Sequence, residues 1–383
     1  MSDRLPNEVI SDILSRLPVK SLIRFRCVSK EWCSLISSPN FIAAHLNRSL
    51  SNSQHQPYLF VYDNYTIYTV LLYPSDLQVE KMGDFFANPS DRIELYDPDG
   101  EHSLHLVGSS NGLLCLATAF FDNERGSCVL WNPSIQKAIS LPKPNLQFHG
   151  SFDQSVGFGY EPMTDDYKLV RLVYPRGTNH YPFIAFNDNI VSPLVEVYTL
   201  RTGIWRSVTA RGPPYIIKMW SSSVFVNGAL HWPANTRRNQ NPFRNVIVWF
   251  NMKDEAFGEV GMPESLQGVE YLDVRVFLVD GLLALVPRVS YGNEASQAVW
   301  VMKEYGAVES WSKLFDIRIG GFERVIGFTK SDEVLLQKGQ MLYSFSPSSR
   351  GYLDLPIRCP DNIHLDTHVE SLLLLSAADR VLR

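Results

Sequence analysis

The feature that most constrains this chain is a recurrence. Glycines that read as turns ahead of strand-like apolar runs stand at Gly112, Gly157, Gly228, Gly281 and Gly327, at intervals of 45, 71, 53 and 46 residues. A second set of landmarks follows them, each an apolar or aromatic run closing on a turn: Val129 to Asn132, Val197 to Leu200, Val248 to Asn251, Val299 to Met302 and Leu342 to Phe345. A period near 50 residues with several short strands per period is the signature of stacked four-stranded sheets, each too small to bury its own apolar face. With Tyr58 to Tyr62 opening an earlier unit, the count is about six. Alternating runs bounded by Asn-Gly, Asp-Gly and Asn-Pro, without long amphipathic helices, predict an all-β propeller of about six kelch-like blades over residues 57–383.

Residues 1–48 are built differently. They hold seven Lys and Arg against four Asp and Glu, a balance of +3 within a chain of net charge −5, which leaves −8 for the rest. Leu5-Pro6-Asn7-Glu8 opens a helix, with proline in the first turn and a carboxylate near the positive end of the dipole. Val9, Ile10, Ile13, Leu14 and Leu17 recur at helical spacing until Pro18. A second helix is expected from about Val19 to Val28, a third after Ser29 as N-cap, and a fourth after Ser38-Pro39. About 45 residues sit near the lower limit for a private hydrophobic core, so part of this apolar surface is expected to meet another protein. Residues 49–56 are polar and aperiodic and read as a linker.

The stretch from Leu5 to Phe41 resembles an F-box, through its Leu-Pro opening, Ile13-Leu14, Leu17-Pro18, Leu22 and the run Cys27-Val28-Ser29-Lys30 with Trp32. The segments at Gly108 to Leu116, Leu130 to Pro142, Phe158 to Val173, Val195 to Arg206, Val226 to Trp232 and Trp300 to Phe315 resemble the F-box-associated domain of the plant F-box/kelch and S-locus F-box-like group, in its order. The double glycine of true kelch repeats occurs only at Gly320-Gly321. The resemblance implies docking on the SKP-family adaptor of an SCF ubiquitin ligase and, through it, on cullin and RING subunits. At matching positions the adaptor-binding residues would be Leu5, Pro6, Ile13, Leu14, Leu17, Pro18, Leu22 and Val28.

Readings as an enzyme or a metal protein find little support. Gly108-Ser109-Ser110-Asn111-Gly112 fits a nucleophile elbow, but a strand-like run follows it where an elbow needs a helix, and Asn227-Gly228 and Asp280-Gly281 repeat the turn without a serine; a hairpin is expected. Asp165-Asp166 between two strands reads as a solvated turn rather than an acid–base pair. Asp97-Pro98-Asp99-Gly100 begins like a calcium loop, yet no carboxylate stands at Leu106 to Gly108, where the last ligand would fall. His149, His180, His231, His364 and His368 form no metal-binding spacing, the phosphate-binding glycine fingerprints are missing, and five scattered cysteines without a CxxC pair read as reduced thiols. No catalytic residue, cofactor or metal is therefore expected. With no apolar leader or membrane-length run and no bulk positive charge, a cytoplasmic or nuclear protein is expected that binds neither membrane nor nucleic acid.

The function expected is substrate recognition for an SCF ligase, the propeller capturing a protein target of unknown identity. A scaffold without ubiquitination, a lectin-like binder or a propeller enzyme is the alternative. The long interval between Gly157 and Gly228 contains His180, Tyr181, Phe183 and Tyr215, and the segment after Asn235 contains Arg237, Arg238 and Phe243; insertions in repeat folds commonly carry binding loops, which makes these seven residues the candidates for target contact.

Overall fold

A computed structural model describes residues 5–51, 58–63, 67–73, 78–84, 104–118, 128–146, 152–175, 192–208, 212–217, 223–236, 244–267, 269, 273–288, 296–318, 324–329, 333–358, 362–367 and 369–375. The chain divides into two compact units. One comprises Met1–Leu116, Cys128–Leu141 and Asn362–Arg383, the other Ala117–Ser127 and Pro142–Asp361.

Four helices open the first unit: α1 (Asn7–Ser15), α2 (Val19–Phe25), α3 (Lys30–Ile36) and α4 (Pro39–Ser51). Two caps act as the sequence implies. The Ser29 hydroxyl accepts from the Trp32 N–H at 3.1 Å, and the Ser38 hydroxyl accepts from the Phe41 N–H at 3.3 Å, each satisfying a donor that the helix start leaves unpaired. α2 ends at Phe25 rather than near Val28, and α4 runs to Ser51, beyond the expected start of the linker.

Among the described residues the strands form six antiparallel sheets. The first combines β1 (Tyr58–Asp63), β2 (Ile67–Tyr73) and β3 (Gln78–Asp84) with β25 (Asn362–Thr367), in the order β25-β1-β2-β3. The second is β4 (Leu104–Ser110), β5 (Leu113–Thr118), β6 (Cys128–Asn132) and β7 (Lys137–Ser140), and the third is β8 (Phe152–Glu161), β9 (Asp166–Pro175), β10 (Leu194–Thr199) and β11 (Ile204–Ser207), each in sequential order. In the fourth, β14 (Ala229–Asn235), β15 (Asn245–Asn251) and β16 (Phe257–Gly261) follow one another, while β12 (Ile216–Ile217) and β13 (Val224–Val226) both pair with β14. The fifth is β17 (Asp273–Val279), β18 (Leu282–Arg288), β19 (Ser296–Met302) and β20 (Trp311–Arg318), and the sixth is β21 (Arg324–Phe328), β22 (Val334–Lys338), β23 (Met341–Ser346) and β24 (Gly351–Arg358).

The expectation of about six blades is thereby corrected to five built from consecutive strands. Five sheets are contiguous stretches of chain; the first is a composite that takes its leading strand from near the C-terminus, with Tyr58 opposite Thr367 and Asp63 opposite Asn362. The second set of landmarks falls where a repeat demands, on the third strands β6, β10, β15, β19 and β23.

The glycines are of two kinds. Asn111-Gly112, Asn227-Gly228 and Asp280-Gly281 all have positive φ at both positions, between 49° and 82°, as a two-residue type I′ hairpin requires; Ser110 therefore ends a strand at a hairpin and is no elbow nucleophile. Gly157 and Gly327 are not turns but lie inside β8 and β21. At Gly157 a Cβ would meet Trp232 at 2.5 Å and Leu230 at 2.8 Å, so glycine there lets the third sheet approach β14 of the fourth. The core between them holds Val170, Leu172, Val197, Leu230, Trp232, Val246, Val248 and Phe250.

Candidate functional site: an adaptor-binding face and recognition loops

α1 carries two apolar stripes, because residues four apart share a helix face. Leu14, with Ile10 and Leu17 beside it, faces Val19, Leu22, Ile36, Phe41 and Ile42 and fills the core of the helical module. The other stripe looks outward: Leu5 just ahead of the helix is 57% exposed, Val9 42% and Ile13 47%, with Val28 after α2 at 63%. Pro6 and Pro18 are exposed as well.

Of the eight residues expected to bind an adaptor, Leu5, Pro6, Ile13, Pro18 and Val28 thus lie at the surface and Leu17 is half-buried. Leu14 and Leu22 are 2% and 0% exposed and support the others from beneath. Val9 escaped the sequence reading as a surface residue, although its spacing of four from both Leu5 and Ile13 is visible there.

Polar contacts fix the module's form. Asp12 accepts from Arg16 at 2.8 Å and from Arg48 at 3.2 Å, and these guanidinium bonds, Arg16 first, hold its carboxyl below the usual range. Phe25 and Trp32 meet edge to face at 5.5 Å. His45, buried in α4, donates from Nε2 to the Leu17 carbonyl at 3.1 Å, and burial lowers its pKa.

The chain leaves the third sheet at Pro175 and re-enters at Leu194, and leaves the fourth at Asn235 and re-enters at Asn245; both are connections between a second and a third strand. His180, Tyr181, Phe183, Arg237, Arg238 and Phe243 lie outside the described residues, as do the Asp97 to Gly100 segment, Gly320-Gly321, His149 and His368.

Tyr215 is described and corrects its reading as a contact residue. It is only 7% exposed and packs in the core with Ile217 and Trp232. Its hydroxyl accepts from Arg244 at 3.4 Å, and Arg244 also reaches Glu259 at 3.2 Å. Burial first, and then the Glu259 carboxylate, push the phenol up to about 12. Thr236 and Arg244 exchange bonds of 2.8 and 2.9 Å that close the base of the 237–243 segment.

The Asp165-Asp166 pair is divided. Asp165 sits at the turn, where it accepts from the Tyr160 hydroxyl at 2.6 Å. Asp166 is not solvated as expected but 3% exposed, and it accepts from the N–H groups of Tyr167 and Arg201 at 2.8 and 3.0 Å. Such a fully occupied carboxylate ties two turns of one sheet together.

Two further buried polar clusters were not legible in the sequence. Arg171 and Glu196, 2% and 0% exposed, pair at 3.0 Å, with Gln154 accepting from Arg171 Nε at 3.0 Å and the Leu146 N–H donating to Glu196 at 2.7 Å. His231 Nδ1 donates to the Ala229 carbonyl at 3.1 Å, so its Nε2 accepts from the Tyr305 hydroxyl at 2.8 Å. Among the described residues no group of three or more His, Cys, Asp or Glu side chains is arranged to hold a metal ion, and no helix is long and apolar enough to cross a membrane.

A small helical module together with repeated antiparallel sheets of four or five strands defines a class, a helical domain joined to a propeller. Residues 2–43 match the F-box domain family, and residues 59–346 match the F-box associated beta propeller domain family. The chain belongs to the F-box proteins that carry an F-box-associated β-propeller.

Among curated relatives from Arabidopsis thaliana, F-box protein At3g07870 is 28% identical, with 97% of this chain and 92% of the relative covered. F-box/kelch-repeat protein At3g23880 is 30% identical over 89% of this chain and 88% of its own length, and F-box protein CPR1 is 28% identical over 97% and 89%. A solved oligogalacturonate lyase from Vibrio parahaemolyticus has 8% identity and a TM-score of 0.39, covering 78% of this chain and 86% of that one, a likeness too weak to bear on function.

Proposed function

We propose that this chain is the substrate-recognition subunit of an SCF ubiquitin ligase. In that role the exposed stripe Leu5, Pro6, Val9 and Ile13, extended by Pro18 and Val28, seats on the SKP-family adaptor, while Leu14, Leu17 and Leu22 hold the stripe in shape. The observation that carries this reading is the stripe itself: large apolar side chains line one side of a module whose core is already filled, and covering them is what a partner would supply. The +3 balance of residues 1–48 suits an acidic partner.

Through the adaptor the chain joins cullin and RING subunits in the cytoplasm or nucleus. The propeller holds a protein target by the segments 176–193 and 236–244, where His180, Tyr181, Phe183, Arg237, Arg238 and Phe243 make the contacts. The chain contributes no bond chemistry; holding a target lysine near a charged conjugating enzyme raises its effective concentration. Co-purification tests the reading. The intact chain is expected to capture an SKP-family adaptor, deletion of residues 237–243 to leave that capture unchanged, and failure of the intact chain to capture the adaptor refutes the proposal.

A further inference from the structure

The helical module is not closed by its own residues. Leu372 and Leu375, 0% and 1% exposed, belong to the same core as Leu14, Val19, Leu22, Ile36, Phe41 and Ile42, although they lie beyond the last strand. α2 begins after Pro18, which offers no side-chain cap, and there is no acidic residue in its first turn. The missing acceptor comes from the far end of the chain: the Glu370 carboxylate takes the Val19 N–H at 3.0 Å.

The segment that supplies these groups is itself held on the second sheet. Asn132, wholly buried at the end of β6, donates from Nδ2 to the carbonyls of Ser371 and Leu373, both at 2.9 Å, while its Oδ1 accepts from the Ser134 N–H at 2.9 Å. All of that side chain's principal hydrogen-bonding capacity is therefore used. Gly112, in the hairpin between β4 and β5, leaves the space in which the segment lies: a Cβ there would collide with the Val369 carbonyl oxygen and stand 2.9 Å from Ser371 Cβ. Ile135, in the turn after Asn132, packs against the helical core directly. Two sequence landmarks, Asn111-Gly112 and Trp131-Asn132, thus converge on one stretch of chain.

We infer that residues 369–375 form a clasp that completes the core of the helical module and is fastened to the second sheet by Asn132 and Gly112. The adaptor-binding face keeps its shape only while the clasp is closed, and the helices are tied to that sheet by the clasp as well as by the chain connection after α4. A module of about this size gains most from such an added wall, since alone it buries too little apolar surface. The inference about the core stands apart from adaptor docking; its consequence for docking rests on the reading above.

Hydrogen exchange on the full chain tests it with two variants. Leu372→Asp puts a charge into the helical core, and amides of α1, α2 and α3 are expected to lose protection by about tenfold or more while amides of β14, β18 and β22 keep theirs. Glu370→Met keeps the length of the side chain but removes both oxygens, and faster exchange is expected at Val19 and the first turn of α2. Unchanged protection of the helices in Leu372→Asp overturns the clasp, and so does a loss spread equally over β14, β18 and β22. Adaptor capture measured in parallel separates the two ideas: an intact chain that captures no adaptor refutes the function proposed above and leaves the exchange result to decide the clasp.

Discussion

Glu196→Ala is the perturbation whose cost follows most directly from the structure. Glu196 is wholly buried and its two oxygens serve the Arg171 guanidinium and the Leu146 N–H, so truncation takes the carboxylate from a buried guanidinium and the acceptor from a backbone donor. Arg171 would keep Gln154 and the Leu146 carbonyl, at 3.0 and 3.2 Å, and the face of the Phe152 ring at 5.6 Å, none of them a counter-charge. Breaking a buried pair from one side costs roughly 3–5 kcal/mol, against a total stability of about 5–15 kcal/mol. Removing both charges is different. Arg171→Met with Glu196→Leu takes the desolvation penalty away along with the attraction, and the double variant is expected to be less destabilised than Glu196→Ala, by about 2 kcal/mol. Urea unfolding followed by the fluorescence of the eight tryptophans, buried Trp205 and Trp232 of the third and fourth sheets among them, measures the cost. The difference is expected to persist at high salt, because a pair excluded from water is poorly screened. Costs that simply add in the double variant would refute the account of Arg171 and Glu196 as a mutually dependent pair.

Other outcomes follow from the same physical terms. Burial holds the His231 imidazole down at about 4 from an ordinary 6.5, so the unfolded chain binds the proton first; stability is complete above 6.5 and falls by about 3 kcal/mol as pH drops to 4. His231→Phe is expected to flatten that window in urea midpoints measured against pH, and an unaltered slope would contradict the assignment. Ser29→Ala removes the bond to the Trp32 N–H and is expected to cost about 1 kcal/mol, read as faster amide exchange in α3 with strands unaffected. Gly157→Val forces a side chain onto Trp232 and Leu230 and is expected to cost about 1–3 kcal/mol, measured as a lowered urea midpoint.

What the sequence made legible was local. Ser29 and Ser38 announce helix starts because a cap bonds within three residues, and Asn-Gly announces a hairpin because both positions must adopt positive φ. Gly157 reads as a turn in the sequence because a glycine needed for close packing of two sheets carries the same letter as one needed for positive φ, and Gly327 reads so although it lies inside β21 beside a register shift. Asp166 looked solvated because one of its partners, the Arg201 N–H, stands 35 residues away. The composite first sheet and the clasp were invisible for the same reason, with partners such as Tyr58 and Thr367, or Val19 and Glu370, at opposite ends of the chain. In the candidate site, resemblance gathered buried and exposed residues together: Leu14 and Leu22 build the module, whereas Leu5, Val9 and Ile13 face out of it. Their spacing separates the two stripes, once one asks which of them closes a core.

In the proposed function the outward stripe is a docking face and not part of the fold. Direct binding of a purified SKP-family adaptor to the full chain, and to Val9→Asp with Ile13→Asp, tests it most closely. Both side chains are nearly half exposed, so helicity and the unfolding midpoint are expected to stay unchanged while adaptor affinity falls by at least about a hundredfold, the scale of losing two buried apolar contacts. Binding equal to that of the intact chain would contradict the account.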